Sequence, residues 1–323
     1  MKSIISVAFA IGIFTTVIAA QGAMAQGFPD RPVVLVVPYP PGGGTDLLGR
    51  IIAQKFSTLW GGNMIVENRG GASGIIGAAY VAKAAPDGYT ILLAPNSYTI
   101  SAHVQKMPFD LVTGFAPIGM IATSPLALAV NAALPVKNVA ELVAYAKANP
   151  GKLNQGSAGS ATAPHLAGEL FNIMASVKIV HIPYRGTGPA TAAILSNEVQ
   201  VSFNPFNSIE GFVRDGRIRI LAVLGSSRYA GLPDVPTVAE SGLRGYEVDL
   251  WYALLAPAGT PKDVIAKLNT DLRRTLDASD IKQSLTPKGF IPAHSTPEGL
   301  ADVIRNDLGR WKLVTDRVPI TVD

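Results

Sequence analysis

Four short stretches of this 323-residue chain collect small and polar residues at places where a ligand could be held. They are residues 40–46 (PPGGGTD), 70–74 (GGASG), 156–160 (GSAGS) and 185–189 (RGTGP). Each follows a short apolar run and precedes a helical pattern. A helix that starts there points its free N–H groups and its positive dipole end out of the turn, which suits an anion. The same residues also fit plain tight turns, with Thr45, Asp46 and Ser160 as helix caps. For one turn the plain reading is the better one; four in one chain favour the anion.

Enzyme chemistry finds less support. No Gly-Lys-Ser/Thr follows the glycines at 42–44, so they are not a phosphate loop. GGGTDLLG fails the spacing of a dinucleotide fingerprint, and GSAGS that of a nucleophile elbow. Ser160 and His165 stand five apart on one turn and helix, which is weak evidence for a nucleophile and its base. Asp46 has no nucleophile or oxyanion partner arranged with it. The four histidines (His103, His165, His181, His294) show no paired ligand spacing. Trp251 and Tyr252 read as core residues. No catalytic residue, cofactor or metal is expected.

The elements that carry these turns alternate. Apolar runs at 32–39, 63–68 and 90–95 read as strands, with helical patterns over 45–60 and 75–85 between them. This β-α-β-α-β series predicts a parallel sheet with helices on both faces. In such a sheet the strand-to-helix turns share the carboxyl edge, where ligands bind. A second series follows. Strands are expected over 152–157, 177–184, 199–205 and 217–225, with helices over 139–150, 163–175 and 189–197. Asn138 is the expected N-cap of the first of these helices. A strand over 250–257 and helices over 261–278 and 297–314 close the chain. The stretches TSPLALAVN and EVDLWYALLAP are long for single strands and can pass between two lobes. The expected division is a first lobe of residues 26–125 and 250–323 and a second lobe of residues 126–249, hinged at the two crossings.

Composition sets the context. The chain is 48% hydrophobic with a formal charge of +4, spread without any Lys/Arg tract, which argues against a nucleic-acid partner. There is no cysteine, so disulfides, thiol catalysis and a lipid-bearing N-terminal Cys are excluded. At the N-terminus Lys2 precedes an apolar run from Ile4 to Ala20 and then Ala23-Met24-Ala25. A membrane anchor would want about 20 apolar residues. The small residues before Gln26 instead fit a signal-peptidase site, so residues 1–25 are expected to be removed on export.

Seven motifs occur in order: PYPPGGGTD, VENRGGASGIIGA, APDGYTILLA, GSAGSATAPHLAGELF, IPYRGTGPA, LPDVPTVAESGL and WYALLAPAGTPKDVIAKLN. On these the chain resembles the Bug-type (TctC-like) periplasmic solute-binding proteins of tripartite tricarboxylate transporters, from about Phe28 to the last helix. The resemblance implies a type II periplasmic-binding-protein fold, α/β, with two doubly wound lobes joined by two crossing strands. It implies closure on a small organic carboxylate and delivery to a permease of one large and one small membrane subunit. The receptor is expected to be a monomer in the periplasm. By position, the ligand-binding residues it implies are Tyr39, Pro41, Gly43, Asp46, Ala72, Ser73 and Asn96 in the first lobe. In the second they are Ser157, Ser160, His165, Thr187 and Asn204.

There are departures from that pattern. Ser73 and Ile75 alter one wall, and Gln200 and Asn204 stand where relatives often carry acids. An Asp at 204 could pair with the ammonium of an amino acid; Asn removes the charge. A ligand without an α-amino group is therefore expected, unless Asn204 only caps the next helix. Two other roles fit the same residues less well: a binding module that reports to a sensor kinase, and a hydrolase built on Ser160 and His165. The leader predicts an outcome directly. The intact mass of the exported protein should begin at Gln26 or its cyclised form; a periplasmic species that keeps Met1 would overturn the cleavage.

Overall fold

The computed structural model describes residues 27–184, 186–318 and 320. The expected leader, residues 1–25, and Arg185 of the fourth turn lie outside the described residues. Among the described residues no helix is long and apolar enough to cross a membrane.

The first half folds as the alternation predicts. β1 (Val33–Val37), β2 (Met64–Asn68) and β3 (Thr90–Pro95) pair in parallel, with β1 in the middle. They are linked through α1 (Gly44–Trp60) and α2 (Ile75–Ala82). β1 is apolar at all five positions because both of its faces are covered. Val33, Leu35 and Val37 pack on Leu48, Ile52 and Phe56 of α1, while Val36 packs with Ala78 and Val81 of α2. α1 stops where Gly61 takes a left-handed conformation (φ 63°). A helix that the hydrophobic pattern did not announce, α3 (Ser97–Val104), follows β3. Its eight residues are rich in Ser, Thr and Tyr, and its first turn opens on Asn96 rather than on a Gly-rich signal. β4 (Phe115–Ser124) then runs the length of this sheet.

The second half repeats the plan. β5 (Ala127–Asn131) leads through α4 (Val139–Ala148) to β6 (Asn154–Ser157). α5 (Ala163–Ala175), β7 (Val180–Pro183), α6 (Thr187–Leu195), β8 (Val201–Ser202), α7 (Glu210–Arg214) and β9 (Ile218–Val223) follow. Asn138 caps α4 as expected, its side chain accepting the Glu141 N–H at 2.9 Å. The strand expected over 199–205 shortens to two residues, and beyond it the Asn204 carbonyl still accepts the Ala127 N–H while Pro205 bridges Leu126. β10 (Leu250–Pro257), α8 (Lys262–Asp277), α9 (Ser279–Leu285), β11 (Ile291–Pro292) and α10 (Pro297–Thr315) return to the first sheet.

Apart from the added edge strand β11, the two sheets share one strand order. The first reads β11-β4-β10-β3-β1-β2 and the second β7-β6-β8-β5-β9. In each, one antiparallel strand is inserted beside the parallel set: β10 between β3 and β4, and β5 between β8 and β9. The chain crosses from the first sheet to the second between Ser124 and Ala127. It returns between Val248, whose N–H bonds Leu224 of the second half, and Leu250, which pairs with Ser124. The two crossings therefore lie side by side.

α10 spans the junction. Leu300 and Ile304 pack in the first core beside Trp251 and Leu255. Two turns on, Trp311 and Val314 are fully buried in the second core with Leu166, Leu170 and Phe171. Thus the end of the segment 250–323 packs into the second core, against α5. Trp311→Ala should destabilise the protein by about 3–5 kcal/mol, read as a lowered urea midpoint at an unchanged native circular-dichroism spectrum. A loss below 1 kcal/mol would show that this anchor carries no weight.

Candidate functional site

The carboxyl edges of the two parallel sets face each other across a cleft of about 420 Å³. Tyr39, Thr45, Ser73, Asn96, Ser97 and Tyr252 line it from the first sheet's side. Ala158, Ser160, Ala161, Thr162, Thr187 and Pro205 line it from the second. Residues at or next to the starts of α1, α3, α5 and α6 are in this lining, and none of these helices carries a side-chain N-cap. Their first-turn N–H groups are thus uncommitted to side chains, and their positive dipole ends converge on one space.

The glycine turn of the first wall is held from behind by Asp46. One carboxylate oxygen accepts the Gly42 N–H at 2.9 Å and Arg50 Nε at 3.0 Å; the other accepts Asn68 Nδ2 at 2.9 Å. The bond back to Gly42 resembles a capping box shifted by one residue. Asn68 Nδ2 also donates to the Tyr39 carbonyl, at 3.0 Å. Burial alone would raise the Asp46 pKa, but the bonds from Arg50, Gly42 and Asn68 together outweigh it and hold the carboxyl below its usual range. Ala72 and Ser73 both take positive φ (47° and 55°), a strained choice for non-glycine residues. The buried Tyr98 hydroxyl pins this turn by donating to the Gly74 carbonyl at 2.9 Å. Tyr39 Oη and Ser97 Oγ are 3.0 Å apart, and Asn96 Nδ2 donates to the Asp249 carbonyl at the return crossing, 2.9 Å.

The second wall rests on two histidines. The Ala161 N–H donates to His165 Nδ1 at 3.1 Å, with Ala161 in a left-handed conformation (φ 57°). The rings of His165 and His181 stack at 3.6 Å between centroids and 9° between planes. His181 Nε2 lies 2.6 Å from Ser157 Oγ, which in turn contacts the Gly159 carbonyl at 2.9 Å. Burial, and then the neighbouring His181, pushes the His165 pKa down to about 3; burial pushes His181 down to about 4.

These positions sort the residues expected from sequence. Tyr39, Ser73, Asn96, Ser160 and Thr187 line the cleft. Pro41, Gly43 and Ala72 are exposed on the two first-wall turns but are not in the lining. Asp46, Ser157 and His165 are buried behind the walls they hold. Asn204 is fully buried just before the lining Pro205, and neither atom of its amide has a hydrogen-bond partner in the protein. It does not cap the helical turn Phe206–Ser208, which has no side-chain cap. Gln200 is used locally: its Oε1 accepts the Asn154 N–H and its Nε2 donates to the Asn197 carbonyl. Sequence reasoning missed Ser97 and Ser101, because α3 was missed with them. It also read Tyr252 as core with Trp251; the strand alternation buries Trp251 and turns Tyr252 to the cleft. His165 and Ser160 share no hydrogen bond, since Nδ1 already accepts from Ala161 and Nε2 lies toward Glu169 at 3.9 Å.

Two α/β lobes with a hydroxyl-lined cleft between them are the frame of a receptor, and the sequence matches one. A family model described as "Tripartite tricarboxylate transporter family receptor" matches residues 48–319. The chain belongs to this family. The protein BugT of Bordetella pertussis (strain Tohama I) is 33% identical over 305 residues, 93% of this chain and 94% of that one. Two solved structures share the fold along nearly their whole length. Rpa4515 of R. palustris, solved with adipate, is 34% identical at a TM-score of 0.75, covering 91% of this chain and 99% of that one. MatC of Rhodopseudomonas palustris, with bound malate, is 31% identical at a TM-score of 0.71, covering 89% and 99%. As in these relatives of the tricarboxylate transporter receptors, the fold is that of a two-lobed periplasmic binding protein.

The Asp46 lock yields a prediction. Asp46→Ala removes the acceptor shared by the Gly42 N–H, Arg50 and Asn68 and should cost about 1–3 kcal/mol at neutral pH. Because the native carboxyl titrates below its unfolded value, its contribution is present above the unfolded pKa and fades as pH falls through the native one. The gap between native and variant in urea denaturation should therefore narrow in acid. A gap that is independent of pH would assign the loss to something other than the carboxylate.

Proposed function

We propose that the protein is an exported, non-enzymatic receptor that captures a small organic carboxylate between its lobes and delivers it to a membrane permease of one large and one small subunit. Residues 1–25 are the leader and the periplasm is the place of work. Residues 26–125 and 250–323 form lobe 1, apart from the last turns of α10, and residues 126–249 form lobe 2. The observation that carries the reading is the convergence of helix starts from both sheets, without side-chain caps, on one cleft. An anion there meets N–H groups and hydroxyls from both sides, so it is held best when the lobes are together. The adipate and malate of the two relatives are of the same chemical class.

The ligand we propose lacks an α-amino group. Among the described residues no Asp or Glu lines the cleft, and the acid of the glycine turn, Asp46, spends both oxygens on Gly42, Arg50 and Asn68. An ammonium buried without an anion is costly. Tyr39, Tyr252, Leu250 and Pro95 offer it an apolar body to pack on instead.

A thermal-shift and scattering screen tests this. An acid at about a hundred times its dissociation constant should add about 2.7 kcal/mol of stability, with or without a chelator. Its presence should shrink the radius of gyration. Adipate should outcompete 2-aminoadipate, which has the same skeleton and one added ammonium. If no organic acid shifts the native protein, carboxylate capture is wrong; equal binding of the two adipates would refute only the exclusion of amino acids.

A further inference from the structure

We propose that His165 is a positioning residue for ligand capture: its unprotonated Nδ1 holds the Ala161 N–H, and through it the second-lobe wall of the cleft, in place. The assignment rests on the reading of the cleft as the ligand site. It begins with one bond. A backbone N–H can only donate, so the 3.1 Å contact from Ala161 fixes Nδ1 as the acceptor, and the neutral ring carries its proton on Nε2. Ala161 sits at the turn into α5, between Ser160 and Thr162, and all three line the cleft. Its left-handed backbone is strained for a residue with a Cβ and needs a partner to hold it. His165 is that partner. It lies one turn along α5, buried and outside the cleft lining, so it reaches the ligand only through the wall.

The second ring completes the device. His181 on β7 stacks flat against His165 and reaches Ser157, the last residue of β6, at 2.6 Å. Ser157 Oγ in turn accepts the Gly159 N–H at 3.2 Å. Both ends of the turn 157–161 are thereby tied to one imidazole stack. Two ionisable groups face His165 among the described residues: His181 against its ring, and Glu169 on its own helix with Oε1 3.9 Å from Nε2. β6 contributes only the neutral Ser157 and Gln155, the latter 3.5 Å from Glu169. Burial holds the Glu169 pKa above its usual value.

Protonation therefore undoes the wall. A proton on Nδ1 removes the acceptor of Ala161 and sets a charged ring against His181. Burial holds both imidazoles neutral in the formed wall, and on release into solvent each would regain an ordinary pKa near 6.5. The sign follows from linkage. The released state binds more protons between about pH 6.5 and the depressed native values, so acid favours release, by up to about tenfold per pH unit for each ring. Above pH 7 the wall is insensitive to pH. Capture would thus weaken as the surrounding medium acidifies.

Native-state hydrogen exchange of the Ala161 amide reads the wall without any ligand. In the native protein its opening constant, corrected for intrinsic exchange, should rise about tenfold or more per pH unit between pH 6.5 and 4.5. In His165→Asn, whose Oδ1 replaces the acceptor but does not titrate, the slope should fall by about one log unit. An Ala161 opening constant that ignores pH in the native protein, or an Asn variant with the native slope, would overturn the proposal. Adipate and malate binding supplies the second readout. His165→Ala should weaken binding of whichever acid the native protein takes by about tenfold at pH 7.5, and His165→Asn should restore most of it. Native affinity in the Ala variant would also overturn the proposal. If neither acid nor any other carboxylate binds the native protein, carboxylate capture fails, and the exchange slopes alone then decide the role of His165.

Discussion

An α-helix cannot satisfy the N–H groups of its own first turn. Much of this structure follows from where the chain puts those groups. In each sheet the parallel strands run toward the same edge, and each turns there into a helix. Two sheets set edge to edge bring helix starts into one cleft from both sides. Each start contributes about 0.3–1 kcal/mol to an anion, and up to about 2 when partly buried. Micromolar affinity needs roughly −8 kcal/mol. Several starts plus a few hydrogen bonds from N–H groups and hydroxyls can approach that total without a dedicated cation. The supporting residues stand one layer back. Asp46, Tyr98 and His165 each bond a backbone group of a turn, not the cleft itself.

The connection between the lobes is narrow but not loose. Ser124 and Leu250 pair at the point where both crossings pass. Asn96, in the cleft wall, bonds the Asp249 carbonyl at the same point, so the wall and the hinge share an atom-to-atom contact. α10 then ties both cores together, with Trp251 Nε1 bonded to Asp307 at 2.7 Å and Trp311 seated in the other core. Asn207 of the second half donates to the Lys288 carbonyl of the first at 3.1 Å, close against Gly289.

Much of this could be read from residues, and the rest has identifiable reasons. The β1 run, the Asn138 cap and the glycine turns carry local signals, because strand burial, capping and positive φ each restrict residue type. α3 carries none: its eight residues, SYTISAHV, are short of strong helix formers and show no amphipathic stripe or side-chain cap. With it went Ser97 and Ser101. The roles of Asp46 and His165 were blurred for a different reason. Both are near the ligand space in sequence, but their side chains point back into the wall. Motif position reports which turn a residue belongs to. It does not report which side of that turn the side chain faces. Trp251 and Tyr252 show the same limit, as adjacent strand residues sent to opposite faces.

The exchanged antiparallel strands decide the order in which the molecule can be assembled. β10 lies between β3 and β4, yet it is synthesised only after all of β5 to β9. Until residue 257 is available, β3 and β4 are separated by an empty track, and the first sheet cannot close. The second sheet has no such gap, since β5 precedes every strand it joins. The strand set of the second lobe is therefore the first that can be completed, while its core still waits for Trp311 and Val314 of α10. β3 must wait for a partner more than 150 residues away, a long loop to close and a slow step by the general dependence of folding rate on contact separation.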